Sequence, residues 1–540
     1  MKSQCLPFNQ VPHSTRLFND FIAYSPKVQQ FYPHSPRFSE WFKEEAAKLR
    51  YDPARREQVA DILARQNRSW DASPATLANI ERLRKGAAAV VTGQQVGLFG
   101  GPLFSLFKAL SAVKLAEEAT QAGVETVPVF WLATEDHDLE EVNAVTFPGT
   151  QGALKSLTVP LEAPPDAPVG TIKFGLEIGS VVQEVVELLG ESEATNILRE
   201  SYREGESFGS GFARLFSRVF AQWGVILLDA ADPELHRIAE PVYRSAVERA
   251  AELDEALLAR GKELEAAGYH QQVKVTPSTT LLFTLQNGAR ISVHRRSGAT
   301  PDLDSFTAGE KQLQASELTA QVASNPENFS PNVLLRPVVQ DYLLPTLAYV
   351  GGSAEIAYFA QVKVVYEALL GRVTPVVPRF SATLIETKPQ ELLERYRAQL
   401  QDVFRGPEAL RETLGAKNLS AEVHSAFTNA EAALEKSMAG VRDALSRLDK
   451  TLVDSAINAE SKMRHQLDSL RSRAARAELR HSEVLERHAD LLSNTLYPHK
   501  GLQERGLAGI FFLDRYGNEL LNDLHHTIHT DCLDHQVITL

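Results

Sequence analysis

Four polar residues, Glu135-Asp136-His137-Asp138, stand in the stretch TEDHDLEE directly after an apolar run, Val127–Ala133. A histidine among acids is a proton-handling group, because nearby carboxylates favour its cationic form. His137 could then bind an anionic group or act as a general acid. The same cluster could ligate Mg²⁺ or Zn²⁺. The plainer alternative is a polar loop whose aspartates cap the next helix.

A second stretch carries chemistry without charge. KGAAAVVTGQQVGLFGGPLF, residues 85–104, breaks an apolar run, Ala87–Val91, into Thr92-Gly93-Gln94-Gln95, three further glycines and Pro102. No charged residue stands between Lys85 and Lys108. Glycines let backbone approach a ligand closely, and the start of the following helix offers free N–H groups to an anion. The amides of Gln94 and Gln95 could donate and accept there; a tight turn with surface glutamines is the alternative. The spacing is neither the dinucleotide fingerprint nor a P-loop, since no Gly-Lys-Ser/Thr follows.

Other candidates are sparser. VGGSAEIAYFAQ places Gly352 and Glu355 at a Gly-Gly turn. LLRPVVQDYLLP holds Arg336, Gln340 and Asp341; Arg336 could take a carboxylate in bidentate fashion or form a structural ion pair. Asp229, Arg379 and Ser381 are candidates by strand-end position alone. LYPHKGLQER holds Tyr497, Gln503, Glu504 and Arg505, where a tyrosine face and an arginine fork could hold an adenine and a phosphate, or simply dock a turn.

Elements must bring these stretches together. Five short runs, Ala87–Val91, Val127–Ala133, Val225–Leu228, Leu347–Val350 and Val373–Val377, are apolar without alternation, the pattern of strands buried on both faces of a parallel sheet. Helices follow the first, with Pro102 at its start, and the third, with Asp232 as N-cap and Pro233 at the first position. This predicts a doubly wound α/β sheet whose ligands lie beyond the carboxyl ends of the strands, where the candidates through residue 381 cluster apart from Arg336, Gln340 and Asp341, which stand just before the fourth strand. Insertions are expected near 145–220 and 265–335; in the second, Asn287-Gly288 joins two alternating runs as a two-residue hairpin.

Residues 1–85 read as a helical lead-in, with a helix starting near Ser35-Pro36; residues 86–386 form the core. Residues 387–496 are helical and charged. Leu434, Met438, Val441, Leu445, Leu448 and Leu452 step by 4,3,4,3,4, a heptad seam that Met463, Leu467 and Leu470 resume one residue out of phase. Gly415–Asn418 is the expected reversal into an antiparallel coiled-coil hairpin. Residues 497–540 should pack back on the core.

With 540 residues, more than one structural unit is required. Apolar residues at 44% and charged residues at 23% give a globular profile with no run long enough to span a membrane. The N-terminus lacks the apolar core of a secretory signal. Cys5 and Cys532 are too few for a disulfide framework or a Cys-rich zinc site, so no zinc and a cytoplasmic setting are expected. A net charge of −13 argues against a nucleic-acid partner.

Taken in order, VVTGQQVGLFGGPLFSLFKALSAVKLA, VPVFWLATEDHDLEEVN, LLRPVVQDYLLPTLAYVGGSAEIAYFAQ, VVPRFSATLIE and LYPHKGLQER resemble the motifs of the BshC family, the cysteine-adding enzymes of bacillithiol biosynthesis. The resemblance implies a Rossmann-like core, a coiled coil through which chains form a homodimer, and addition of L-cysteine to glucosaminyl malate. The core is also similar to that of class I aminoacyl-tRNA synthetases. Gln94 and Gln95 stand where that class has its two histidines, and Arg379-Phe380-Ser381 replaces its paired-lysine loop.

An amide-forming ligase is therefore expected. A free carboxylate is a poor electrophile, so activation by a nucleotide, ATP or ADP with Mg²⁺ as an option, is expected as well. In this reading Gln94, Gln95 and the backbone of Thr92 and Gly93 hold the activated group, and His137 handles protons or a phosphate. Asp136 or Asp138 orients the amine or a metal. Gly352 and Glu355 touch nucleotide or substrate, and Arg336 takes a carboxylate of malate. The rival readings are a nucleotide-binding coiled-coil assembly protein and a metal hydrolase built on Glu135–Asp138.

Overall fold

The computed structural model of the chain describes all residues except 150–151, 162, 299–303, 481 and 531. The five apolar runs become the strands Ala88–Gln94, Thr126–Leu132, Ile226–Asp229, Thr346–Gly351 and Val376–Pro378 of one parallel sheet. Numbered in chain order, they lie 5-4-1-2-3 across the sheet. The order reverses between the first and fourth strands, the switch point at which such sheets bind ligands. Alternate residues of the second strand enter different cores: Val127, Val129 and Trp131 face one, Phe130 and Leu132 the other. Burial on both faces is why these strands read as unbroken apolar runs.

The helix after the first strand spans Phe104–Gln121, so it begins two residues beyond Pro102, which instead bridges to Ala508. The helix after the third spans Pro233–Glu248 with Asp232 as N-cap, its carboxylate accepting from Glu234 N, as expected. The Asn287-Gly288 turn is also as expected. Both residues have positive φ (52° and 82°), and they join Thr279–Gln286 to Ala289–Arg296. That hairpin belongs to a separate five-stranded antiparallel sheet that the sequence did not reveal, completed by Lys311–Gln314, Ser305–Ala308 and Phe329–Pro331.

Four details depart from expectation. The chain opens with a strand, Lys2–Leu6, which pairs with His535–Thr539; the latter pairs in turn with Ala382–Ile385. Cys5 and Cys532 form a disulfide between these terminal segments. No α-helix begins at Ser35-Pro36: that stretch is a turn, and the helix there spans Phe42–Lys48. The coiled coil does not reverse at Gly415–Asn418. Gly415 sits inside the helix Pro407–Asn418 and packs against Ala475, and the reversal falls between the helices Ala421–Leu448 and Leu452–Arg480. Asp449 makes that turn by accepting from the backbone N and hydroxyl of Thr451. Arg471 to Glu431 at 2.6 Å and Arg464 to Glu435 at 3.6 Å then lace the two antiparallel helices. Among the described residues no helix is long and apolar enough to cross a membrane.

Candidate active site

The carboxyl ends of the first and second strands, the hairpin, the segment from Pro331 to Arg336 and the start of the helix after the fourth strand line a cavity of about 580 Å³. Gly93, Gln94, Gln95, Glu135, Asp136, Arg336 and Glu355 line it, so seven of the predicted residues meet in one chamber. Gly93 lies tight against the neighbouring strand: a Cβ there would stand 3.1 Å from Trp131 O and 3.2 Å from Trp131 Cβ. The two glutamines have fixed roles. Gln95 Nε2 donates to Asp136 and to Glu141, each at 2.7 Å, tying the first loop to the second. Gln94 Oε1 accepts from Lys108 Nζ at 2.9 Å.

Lys108 was missed in the sequence. It is buried on the helix after the first strand, donates to Gly93 O at 2.7 Å, and pairs with Glu355 Oε2 at 2.5 Å. It therefore spans the switch point of the sheet. Burial lowers its pKa to about 8, with Glu355 opposing that shift. Burial pushes Glu355 the other way, but Lys108 and the Gly352 N–H at 2.7 Å hold it below the ordinary carboxylate value. The only sequence signal was a charged residue, Lys108, on the apolar first half of that helix.

Arg290 was missed too. The hairpin carries it over the Phe283 ring at 3.9 Å, a stacking geometry that suits a guanidinium. It donates to Ser330 Oγ at 2.9 Å and Pro331 O at 2.7 Å. Arg336 lies on the same cavity, bonded to the Tyr358 hydroxyl. Lys274 and His294 also line the chamber, so its hairpin side is basic while its strand-end side is acidic. Trp131 Nε1, on the wall, is buried and has no hydrogen-bond partner.

Glu135 is the most perturbed acid of the site. Burial raises its pKa to about 8, opposed chiefly by Arg290. Asp229, at the third strand end, accepts from Thr134 Oγ1 at 2.5 Å and is raised mainly by burial.

The other predicted residues are placed differently. His137 and Asp138 line an adjoining hollow with Pro164–Ala167 rather than the main chamber. His137 Nδ1 lies 3.4 Å from Arg290 Nη1, so a guanidinium shares the setting expected to be purely acidic. Asp138 caps the short helix Leu139–Val142. Among the described residues no three His, Cys, Asp or Glu side chains converge as a metal site. Thr92 is interior, its hydroxyl on Val350 O at 2.9 Å. Gln340 and Asp341 are interior as well, bonded to each other at 3.1 Å, with Asp341 also holding the Tyr366 hydroxyl.

Arg379, Ser381 and Gln503 form a buried clasp instead of facing the chamber. Glu504, fully buried, takes Arg379 Nη2 at 2.5 Å and Ser381 Oγ at 3.0 Å, and Ser381 Oγ lies 2.8 Å from His535 Nδ1. Gln503 satisfies backbone groups of Leu384 and Thr495. Tyr497 is buried with its hydroxyl 3.1 Å from His13 Nε2. Arg505 is exposed, 3.4 Å from Ser353 Oγ at the start of the helix Ser353–Leu370, beside Gly352.

Fold and site together define a Rossmann-like α/β protein with a polar strand-end chamber and a C-terminal coiled coil. Residues 1–380 match the model of the bacillithiol biosynthesis BshC N-terminal Rossmann-like domain, and residues 382–540 that of the BshC C-terminal coiled-coil domain. A protein of Koribacter versatilis (strain Ellin345), named "Putative cysteine ligase BshC", is 50% identical over 538 residues, covering 100% of both chains. A protein of the same name from Solibacter usitatus (strain Ellin6076) is 35% identical, again over 100% of both. One from Salinibacter ruber (strain DSM 13855 / M31) is 32% identical over 97% of this chain and 96% of its own. The chain belongs to the BshC family.

Proposed function

We propose that the chain is an amide-forming ligase that joins the carboxyl of L-cysteine to the amine of glucosaminyl malate, after a nucleotide has activated that carboxyl. The observation that carries this reading is the chamber itself: Gln95, Glu135, Arg290, Arg336 and Glu355 converge from five separate segments on a volume suited to a small polar molecule. Arg290 and Arg336 suit the two carboxylates of a malate, and Thr280 and Ser292 suit sugar hydroxyls. Holding acceptor and activated acyl group together converts a two-body step into a one-body step. The helix start at Ser353, with Arg505 beside it, offers the donors a phosphate takes, which supports entry of ATP there. Val441, Met463 and Leu470, each roughly half exposed on the coiled coil, support a homodimer through that surface.

Incubating the purified protein with ATP, L-cysteine and glucosaminyl malate tests the reading. A thiol of the mass of the amide, formed with AMP or ADP, supports it. Folded protein that binds nucleotide and never forms the amide contradicts it.

A further inference from the structure

The chamber wall holds a buried acid left unsatisfied. Glu135 is 8% exposed, lines the cavity, and its Oε1 has no hydrogen-bond partner. A buried carboxylate oxygen left unpaired disfavours the charged form, so the group gains by taking up a proton. Across from that oxygen stands the His236 ring, whose Nε2 lies 3.4 Å away without forming a hydrogen bond. His236 is itself buried, and its Nδ1 is 3.0 Å from the Tyr243 hydroxyl, on the same helix.

We infer that Glu135 is the proton acceptor of the ligation step and that His236, held by Tyr243, is the residue that positions it. This rests on the amide-forming reading above. The acceptor amine attacks in its neutral form. Its lone pair forms the C–N bond to the carbonyl carbon of the activated cysteine. The nitrogen gives up one hydrogen as a proton to the Glu135 carboxylate. The C–O bond to the phosphate-type leaving group breaks, and its electron pair leaves on that oxygen. Glu135, now neutral, returns the proton to water before the next turnover.

The surroundings suit an acceptor working near neutrality. Burial raises Glu135 to about 8; Arg290 and Arg336 oppose this, while Asp229 and Asp136 add to it. Burial lowers His236 to about 4, so the ring behind Glu135 is neutral at working pH and adds no competing cation. Tyr243, raised by its own burial, is neutral too. A catalytic pKa close to the operating pH maximises proton-transfer efficiency.

The test uses the full chain with ATP, L-cysteine and glucosaminyl malate, reading amide product and cysteine-dependent nucleotide cleavage separately across pH 6–10. Wild-type kcat should rise to a plateau with an apparent pKa near 8. Glu135→Gln should lower kcat by about 10²–10⁴-fold, abolish that limb, and leave cysteine-dependent nucleotide cleavage running. Glu135→Asp should retain the limb at reduced rate, a comparison that holds even if the Gln variant folds poorly. His236→Asn should displace the limb, with KM for the amine changed less than kcat. An unchanged kcat and pH limb in Glu135→Gln overturns the inference while the ligase reading stands. A wild type that makes no amide at any pH overturns both.

Discussion

At the scale of single residues, the site depends on charges placed where water is scarce. Lys108 and Glu355 are a buried pair, and each also holds backbone at the switch point, Gly93 O and Gly352 N respectively. Removing one partner of such a pair strands the other charge, at a cost of about 3–5 kcal/mol, whereas removing both together costs much less. Lys108→Met should therefore lower the melting temperature sharply, and Lys108→Met with Glu355→Gln should recover much of the loss. Additive losses in that double-mutant cycle would show that the pair does not act as one unit. Neither Lys108 nor Arg290 was legible as a site residue in the sequence. One of two lysines in SLFKALSAVKLA, or an arginine two residues after Asn-Gly, announces nothing until a sheet and a hairpin bring it to the cavity. Glu135 was legible, because it directly follows a buried strand; His236 was not, because its partner lies a hundred residues away in the chain.

Elements were legible where one physical signal dominated. The five core strands showed themselves because burial on both faces removes alternation, and the hairpin because Asn287 and Gly288 tolerate positive φ. The coiled-coil reversal was misplaced because Asp449-Lys450-Thr451 contains neither glycine nor proline, while the heptad rhythm runs straight through it to Leu452. Gly415 drew the turn only because its other use, close helix packing, leaves the same mark in a sequence. Its Cβ would stand 2.5 Å from Ala475 O. Gly415→Ala should thus destabilise this domain by about 1–3 kcal/mol through overpacking, although alanine is the better helix former. Circular dichroism melting checks the sign; a stabilised variant would mean the helices can part without cost.

Across the whole molecule, the chain's two ends are bound into the core. The terminal strands share a small sheet with Ala382–Ile385, and the Glu504–Ser381–His535 clasp lies beneath it. This explains why Arg379, Ser381 and Gln503 look functional in sequence yet sit away from the chamber: a buried polar network needs the same residue types as a binding site. Burial lowers both His535 and His236 to about 4. An unfolded chain protonates its histidines from about pH 6.5 downward. The folded chain resists until about 4, so their stabilising contribution is whole above 6.5 and lost as pH falls through that window. Each histidine should cost up to about 1.4 kcal/mol per pH unit there. Denaturant midpoints at pH 7 and 4.5 should show the drop, reduced in His535→Asn; a flat profile would contradict it.

The central claim is that remote turns enclose one chamber in which the amine of the acceptor meets an activated carboxyl. A crystal structure of the protein with glucosaminyl malate measures this most directly. The account predicts the ligand inside the cavity, its amine near Glu135 and its carboxylates toward Arg290 and Arg336. A ligand seated elsewhere, with that cavity left to solvent, would contradict it.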